Sequence, residues 1–179
     1  MQGPHMANVV LLDDASDADA RQLVETLKSG RRGSLLGIYR ALLHNPKLAG
    51  TWFEHLNAVR WGTSLSDRLR ELVIIRVGWR LDSRYILKQH VPLLALPAGV
   101  SEAECAALQK DVLENFSEAE TAALAAADEL TMHVVLPEAL AAQLKRHFDD
   151  RQYVELIVLI GTYNMHARFV AGVDLPLET

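Results

Sequence analysis

Glu71 and His90 are the two side chains of this sequence whose types and spacing best suit them to act together. Glu71 lies near the start of an apolar helix predicted over residues 69–79, and His90 lies in a second helix that follows a polar break at residues 81–83. A helix-turn-helix of this length can bring the two side chains together. Since a carboxylate can orient an imidazole and stabilise its charged form, the pair is a candidate for general acid–base catalysis.

The surroundings of Glu71 leave two interpretations open. A carboxylate among apolar neighbours such as Val73 is costly to bury unless it is protonated, paired or facing a cavity. One interpretation is a structural ion pair with an arginine of the same helix, for which Arg68, Arg70 and Arg76 are available. The other is a catalytic acid or base, and the residues alone do not decide between them.

Three further positions belong to the helix of His90. Ser83, Ile86 and His90 share one face, because they are spaced at i, i+3 and i+7, and Ser83 and Ile86 are candidate substrate contacts. Tyr85 lies between them, and its hydroxyl could donate a hydrogen bond to a developing oxyanion. Helix packing is an equally good interpretation of Tyr85.

The remaining candidates come from other helices. Tyr163 and His166 are three residues apart in the last predicted helix and could line a substrate pocket. The alternative is that Tyr163 is a core residue and that His166 lies at the surface or at a subunit boundary. Trp52 is a candidate substrate contact in an earlier helix, although Trp52 and Trp61 are also typical core residues.

From Leu35 to Glu178 the sequence resembles the carboxymuconolactone decarboxylase and AhpD-like family. In the thiol-bearing branch of that family the motif is Glu, eleven residues, Cys, two residues, Cys, three residues, His. Here those positions are Glu71, Ser83, Ile86 and His90. The resemblance implies an all-α bundle of about eight helices with a central helical hairpin, assembled as a homotrimer or homohexamer.

The resemblance also implies a function, with Glu71, His90 and Tyr85 as the catalytic residues. The expected protein is a cofactor-independent decarboxylase or lyase that acts on a small organic acid or lactone. An AhpD-like alkylhydroperoxidase is disfavoured, because Ser83 and Ile86 replace the two thiols that disulfide exchange requires. A helical scaffold that binds a small molecule without catalysis is the other alternative.

Composition excludes several partner classes. The chain has 179 residues, a formal net charge of −5 and no basic cluster, so a nucleic-acid partner is not expected. No apolar run reaches the roughly 18 residues of a membrane span, and the protein is expected in the cytoplasm. Cys105 is the single cysteine and is expected to be buried. His133, His147 and His166 lack metal-ligand spacing, so no metal is predicted.

Residues 1–6 are interpreted as the remnant of an expression tag, and residues 7–179 are predicted to form one helical domain. Local signals place the helix boundaries. Capping boxes are predicted at Ser101 with Glu104 and at Ser117 with Glu120, and Ser66 is predicted to cap the Glu71 helix. Asp82 or Ser83 is predicted to cap the next helix. Pro92 should disturb the helix just after His90.

Overall fold

The computed structural model describes residues 6–14, 18–31, 33–110 and 113–177, without the side chains of residues 18 and 19. Within these ranges the chain forms nine α-helices, one π-helical turn and no β-strand, which confirms the all-α prediction and adds one helix to the expected number. The α-helices are α1 (Ala18–Ser29), α2 (Gly37–Leu42), α3 (Pro46–Trp61), α4 (Asp67–Arg80), α5 (Arg84–His90), α6 (Glu102–Ala107), α7 (Glu118–Met132), α8 (Glu138–His147) and α9 (Asp150–Gly172).

Serine side chains cap three of these helices, as the sequence predicts. Ser66 accepts from the backbone N–H of Leu69 at the start of α4. Ser101 and Ser117 form complete capping boxes at the starts of α6 and α7. At the start of α5 Ser83 occupies the predicted N-cap position, but its side chain makes no capping hydrogen bond there. The predicted tag remnant lies outside the described residues except for Met6.

The backbone changes its helical form directly after His90. α5 ends at His90, and Val91–Ala95 forms a π-helical turn that contains Pro92 near its start. Proline lacks an amide donor and crowds the preceding turn, which accounts for the break. Single π-helical turns of this kind are frequently found at functional sites.

One compact unit comprises Val59–Arg168. Its central helix is α4, which packs against α5, α7 and the π-helical turn. Residues from Leu69 to Gly78 of α4 are buried, in agreement with the almost continuous apolar sequence. Two apolar clusters surround this helix, one that includes Val73 and Ile160 and another that includes Leu72 and Cys105.

The other compact unit comprises Met1–Ala58 and Phe169–Thr179. Its core contains Leu27, Tyr39 and Phe53, and Tyr39 and Phe53 make an edge-to-face contact at 5.9 Å between ring centroids. Arg31 stacks on the Phe53 ring at 4.6 Å and donates a hydrogen bond to the Tyr39 hydroxyl. Arg31, which follows α1, is therefore held against the core of this unit.

Two observations concern large apolar surfaces. Trp61 was expected in the core but is 57% exposed, because it is the last residue of α3. Among the described helices, none combines the length and the apolar character that crossing a membrane requires.

Candidate active site

The central contact of the candidate site is a hydrogen bond between His90 and Glu71. His90 Nδ1 lies 2.6 Å from Glu71 Oε2, and each residue is only 6% exposed. The Ser66 cap and the buried face of α4 fix Glu71, and α5 carries His90 at its last position. Because a carboxylate only accepts, the bond places a proton on Nδ1 and leaves Nε2 as the nitrogen available for exchange.

A third charged side chain, Arg60, reaches the same carboxylate. Arg60 Nη2 lies 3.7 Å from Glu71 Oε1, which is a charge contact and longer than a hydrogen bond. Arg60 belongs to the last turn of α3, and its guanidinium lies 4.7 Å from the centroid of the Trp61 ring. The two oxygens of Glu71 thus face different partners, an imidazole and a guanidinium.

The predicted ion pairs of Glu71 within α4 do not form. Arg68 binds Glu104 and Glu120, Arg70 binds Asp67, and Arg76 binds Asp128. The sequence analysis missed Arg60 because this residue lies on the preceding helix, and its approach to Glu71 depends on how α3 and α4 pack. Its place in the last turn of a helix directly before the Glu71 helix was the available signal.

The rings of Tyr163, His166 and Tyr85 lie next to one another beside His90. The Tyr163 ring meets the His90 ring edge-on at 5.3 Å, and His166 stacks on Tyr163 at 5.8 Å between centroids. Tyr85 lies 6.0 Å from His166. All of these rings are buried, so the structure brings Tyr85, Tyr163 and His166 together around the Glu71–His90 pair.

The other predicted substrate contacts lie in different surroundings. Ser83 is buried at the start of α5. Ile86 packs into the apolar cluster and against Gly78, where an added Cβ would come within 3.1 Å of the Ile86 side chain. Trp52 belongs to the other compact unit, where its ring lies 5.2 Å from that of Phe169. Their roles in substrate binding remain predictions.

Cys105 is a buried free thiol. Burial raises the pKa of this thiol above its usual value, and the negative charges of Glu104 and Glu71 raise it further. A thiol with a raised pKa is mostly protonated near neutral pH and is therefore a poor nucleophile. Cys105 does not supply the chemistry of the thiols that Ser83 and Ile86 replace.

Among the described residues, no three histidine, cysteine, aspartate or glutamate side chains are arranged to hold a metal ion. The side chains of the site itself offer several functional groups. These are the Glu71 carboxylate, the imidazoles of His90 and His166, the Arg60 guanidinium and the two phenols of Tyr85 and Tyr163. Such a set can move a proton and can stabilise charge on a substrate oxygen.

Residues 46–129 match the family model described as "Carboxymuconolactone decarboxylase family". No curated protein matches the sequence. Solved structures that resemble the whole chain include an uncharacterized peroxidase-related protein from Silicibacter sp. TM1040, with a TM-score of 0.82, 18% identity and coverage of 100% of this chain and 96% of that one.

Two further structures resemble this chain along nearly its whole length. The alkylhydroperoxidase AhpD core protein from Ralstonia eutropha JMP134 has a TM-score of 0.81 and 15% identity, covering 99% of this chain and 94% of that one. A variant of the debrominase Bmp8 in complex with 2,3,4-tribromopyrrole has a TM-score of 0.78 and 20% identity, covering 97% and 95%. At such identities these likenesses show the fold, which is AhpD-like.

Proposed function

We propose that this chain, which belongs to the carboxymuconolactone decarboxylase family through residues 46–129, is a cofactor-independent enzyme that transfers protons on a small organic acid or lactone. The observation that carries the proposal is the buried 2.6 Å hydrogen bond between His90 and Glu71. An imidazole anchored through one nitrogen is ready to exchange a proton through the other.

The proposed reaction is a decarboxylation. The bond between the substrate carboxylate and its neighbouring carbon breaks, CO2 leaves, and the electron pair passes into a conjugated carbonyl of the substrate. The protonated His90 then gives the proton on Nε2 to the carbon and becomes neutral. Its other proton stays on Nδ1, hydrogen-bonded to Glu71. In the related lyase or isomerase reactions the neutral ring first removes a proton through Nε2.

The surrounding groups have supporting roles in this proposal. Glu71 stabilises the imidazolium and fixes the orientation of the ring, and Arg60 places a positive charge beside the other carboxylate oxygen. Tyr85 would donate a hydrogen bond to the oxygen on which negative charge develops. Tyr163 and His166 would contact the substrate, since both pack in the ring cluster that includes His90.

The redox alternative is less well supported. Two thiols are needed to reduce a peroxide through a disulfide, and the motif positions hold Ser83 and Ile86. Cys105 is buried, and its raised pKa disfavours the thiolate. The remaining alternative is a scaffold that binds a small molecule without catalysis, and the experiment below separates it from an enzyme.

A homotrimer or homohexamer is part of the same proposal. Leu93 and Leu96 are 45% and 72% exposed on and just after the π-helical turn that follows His90. Exposed large apolar side chains in one short segment are typical of protein contact surfaces. We expect light scattering coupled to size-exclusion chromatography to give the mass of three or six chains, and a monomer at micromolar concentration would contradict this part of the proposal.

The test of the catalytic proposal is an activity screen with a matched set of variants. A panel of carboxylated lactones and conjugated keto acids would be followed by CO2 release and by the loss of substrate absorbance. His90→Gln and Glu71→Gln should each reduce the rate by about 10²–10⁴-fold, the usual contribution of a positioned acid–base group.

The chain supplies its own control. His133 Nδ1 lies 2.9 Å from Glu129 Oε2, so it is a second glutamate–histidine pair, but it is exposed. His133→Gln should leave the rate unchanged. Turnover that survives in both the His90 and the Glu71 variants would refute the proposed chemistry, and binding without turnover across the panel would favour the scaffold.

A further inference from the structure

A groove of about 350 Å³ lies between the end of α7 and one face of α9. Ile157, Gly161, Asn164 and Arg168 line it at i, i+4, i+7 and i+11, so they form a single helix face. Tyr163 and His166, which belong to the candidate active site, occupy other positions around the same helix. The groove is therefore separate from the site of the proposed reaction, and its volume is within the range of small-molecule sites, roughly 300–1,000 Å³.

The polar groups of the groove are connected by hydrogen bonds. Asn164 Nδ2 donates to the hydroxyl of the buried Thr131 at 2.9 Å and to the carbonyl of Ile160 at 3.0 Å. Arg168 Nη1 in turn donates to Asn164 Oδ1 at 2.6 Å and to the Asn164 carbonyl at 3.1 Å. Asn164, which is bonded to the buried Thr131, thereby orients the Arg168 guanidinium. Within the described chain, Arg168 forms no ion pair with a carboxylate, so its charge is available to an anion.

Two residues of the groove are of types that their local backbone conformation disfavours. Gly161 lies in the interior of α9, where glycine is unfavourable, and a Cβ added there would meet no atom within 4 Å. Packing within the chain therefore does not require a glycine. Val134 follows the C-cap of α7 with a φ of +58°, a left-handed conformation that suits glycine or asparagine and that a β-branched residue rarely adopts.

A bound molecule would account for the presence of both Gly161 and Val134. Gly161 keeps the floor of the groove open, because any side chain there would project into it. Val134 is 78% exposed in this chain, and its apolar side chain supplies a wall of the groove. Leu130 and Ile157 complete the apolar part of the lining.

We propose that this groove binds a small carboxylic acid with a linear apolar body. The carboxylate would pair with the Arg168 guanidinium, whose planar fork matches its geometry. The apolar body would lie over Gly161 between Val134 and Ile157. A single oriented cation beside an apolar surface is complementary to an amphiphile with one negative end, which is why we favour this occupant over an uncharged molecule or a second copy of the chain.

The test is calorimetric titration of the full chain with decanoate below its micellar concentration. Decanoate should bind at one saturable site, and uncharged 1-decanol should bind roughly tenfold or more weakly, because it cannot form the charge-assisted hydrogen bonds. Arg168→Gln should weaken decanoate by a similar factor and leave 1-decanol unchanged. Gly161→Leu should abolish binding of both, since the side chain fills the groove while improving helix propensity.

Gly172→Leu is the matched control, because Gly172 is another α9 glycine whose added Cβ meets nothing and it does not line the groove. Circular dichroism and thermal melting would establish that each variant is folded, and Arg168→Gln changes only an exposed side chain. The proposal is overturned if Gly161→Leu binds decanoate as the unmodified chain does, or if decanoate and 1-decanol bind equally. It is also overturned if decanoate does not bind, and a lower oligomeric mass of Gly161→Leu would then show that a second copy covers the groove.

Discussion

Asp128 and Glu71 are two carboxylates that contact arginines close to α4, and they differ in what surrounds their oxygens. Asp128 receives four hydrogen bonds of 2.6–2.8 Å from the forks of Arg76 and Arg80. Glu71 receives one 2.6 Å bond from His90 and a 3.7 Å charge contact from Arg60. Asp128 is therefore saturated by permanently charged donors, whereas the short bond of Glu71 goes to a group that can gain and lose a proton.

This difference separates a structural carboxylate from a candidate catalytic one. Burial tends to raise the pKa of Asp128, but hydrogen bonds from Arg80 and Arg76 outweigh it, and the pKa lies below its usual value. Arg76 is 1% exposed and also donates to the carbonyls of Leu108 and Lys110, so Asp128 anchors the most deeply buried charge of the described chain. The less buried carboxylate, Asp128, is thus the structural one, and the chemistry of the partners separates it from Glu71.

Removing the charge of Asp128 tests whether this carboxylate is structural, and it should have the largest effect on stability. Asp128→Asn removes the charge of the carboxylate that the buried Arg76 and its neighbour Arg80 bind through four hydrogen bonds, and we expect the free energy of unfolding to fall by about 3–5 kcal/mol. Urea denaturation measures this change. Folded Asp128→Asn should keep its activity per molecule, because Asp128 does not contact the His90 site.

The exposed pair of Glu25 with Lys28 is the control for that experiment. Glu25→Gln should hardly alter the urea midpoint, since exposed pairs contribute little. If Asp128→Asn and Glu25→Gln had equal effects on stability, the description of Asp128 as a structural anchor would be wrong.

Arg60→Gln is a smaller change, which removes the charge contact of Glu71 and leaves its bond to His90 in place. Two unit charges 4 Å apart near a protein surface interact by about 4 kcal/mol, so the Arg60 guanidinium helps to hold the Glu71 carboxylate in place as the acceptor of the His90 Nδ1–H. We expect Arg60→Gln to lower the rate of the proposed reaction about tenfold, or ~1.4 kcal/mol. The loss should fall on kcat, because Arg60 acts through Glu71 and not on the substrate.

Arg60→Lys distinguishes this charge effect from a structural one. Lysine keeps the positive charge but loses the planar fork, so it should restore part of the lost rate. Equal losses in Arg60→Gln and Arg60→Lys, accompanied by equal losses of stability, would show that Arg60 only packs the end of α3.

Sequence reasoning succeeded where the determinants are local. The caps at Ser66, Ser101 and Ser117 follow from residues three apart, and the Glu71–His90 contact follows from two helices and the short break between them. The ion pairs were not predictable in the same way. Arg76 meets Asp128, a residue 52 positions later, only because α4 packs on α7.

The same limit applies to the charge beside Glu71. Five arginines lie within eleven residues of Glu71, and local spacing favours Arg68, Arg70 and Arg76, which are at most five residues away in α4. Those three face acids on other segments or at the start of α4, and the distant Arg60 reaches Glu71. Which side of a buried helix meets which neighbour is decided by the packing of all helices together.

Acid pH gives the smallest expected effect and concerns a third group of carboxylates, those around Arg68. Hydrogen bonding to Arg68 lowers the pKa of Glu104 from 4.5 to about 2, against burial and with help from Ser101. Burial tends to raise the pKa of Glu120, but bonds from Ser117 and Arg68 outweigh it and lower the pKa. Both folded pKa values lie below the unfolded value, so the pairs stabilise the fold above about pH 4.5 and lose this contribution as the pH falls towards 2.

We therefore expect the urea midpoint to fall between about pH 4.5 and about pH 2, and Glu104→Gln to flatten part of this dependence. The contribution should be about 1 kcal/mol, since these side chains are partly solvated. Glu104 and Glu120, like Asp128, are held by arginine, so the change should appear in stability and not in the chemistry of His90. A pH dependence that Glu104→Gln leaves unaltered would place the acid sensitivity elsewhere, and Asp128→Asn at the same pH values would show whether the Arg76 pair is its source.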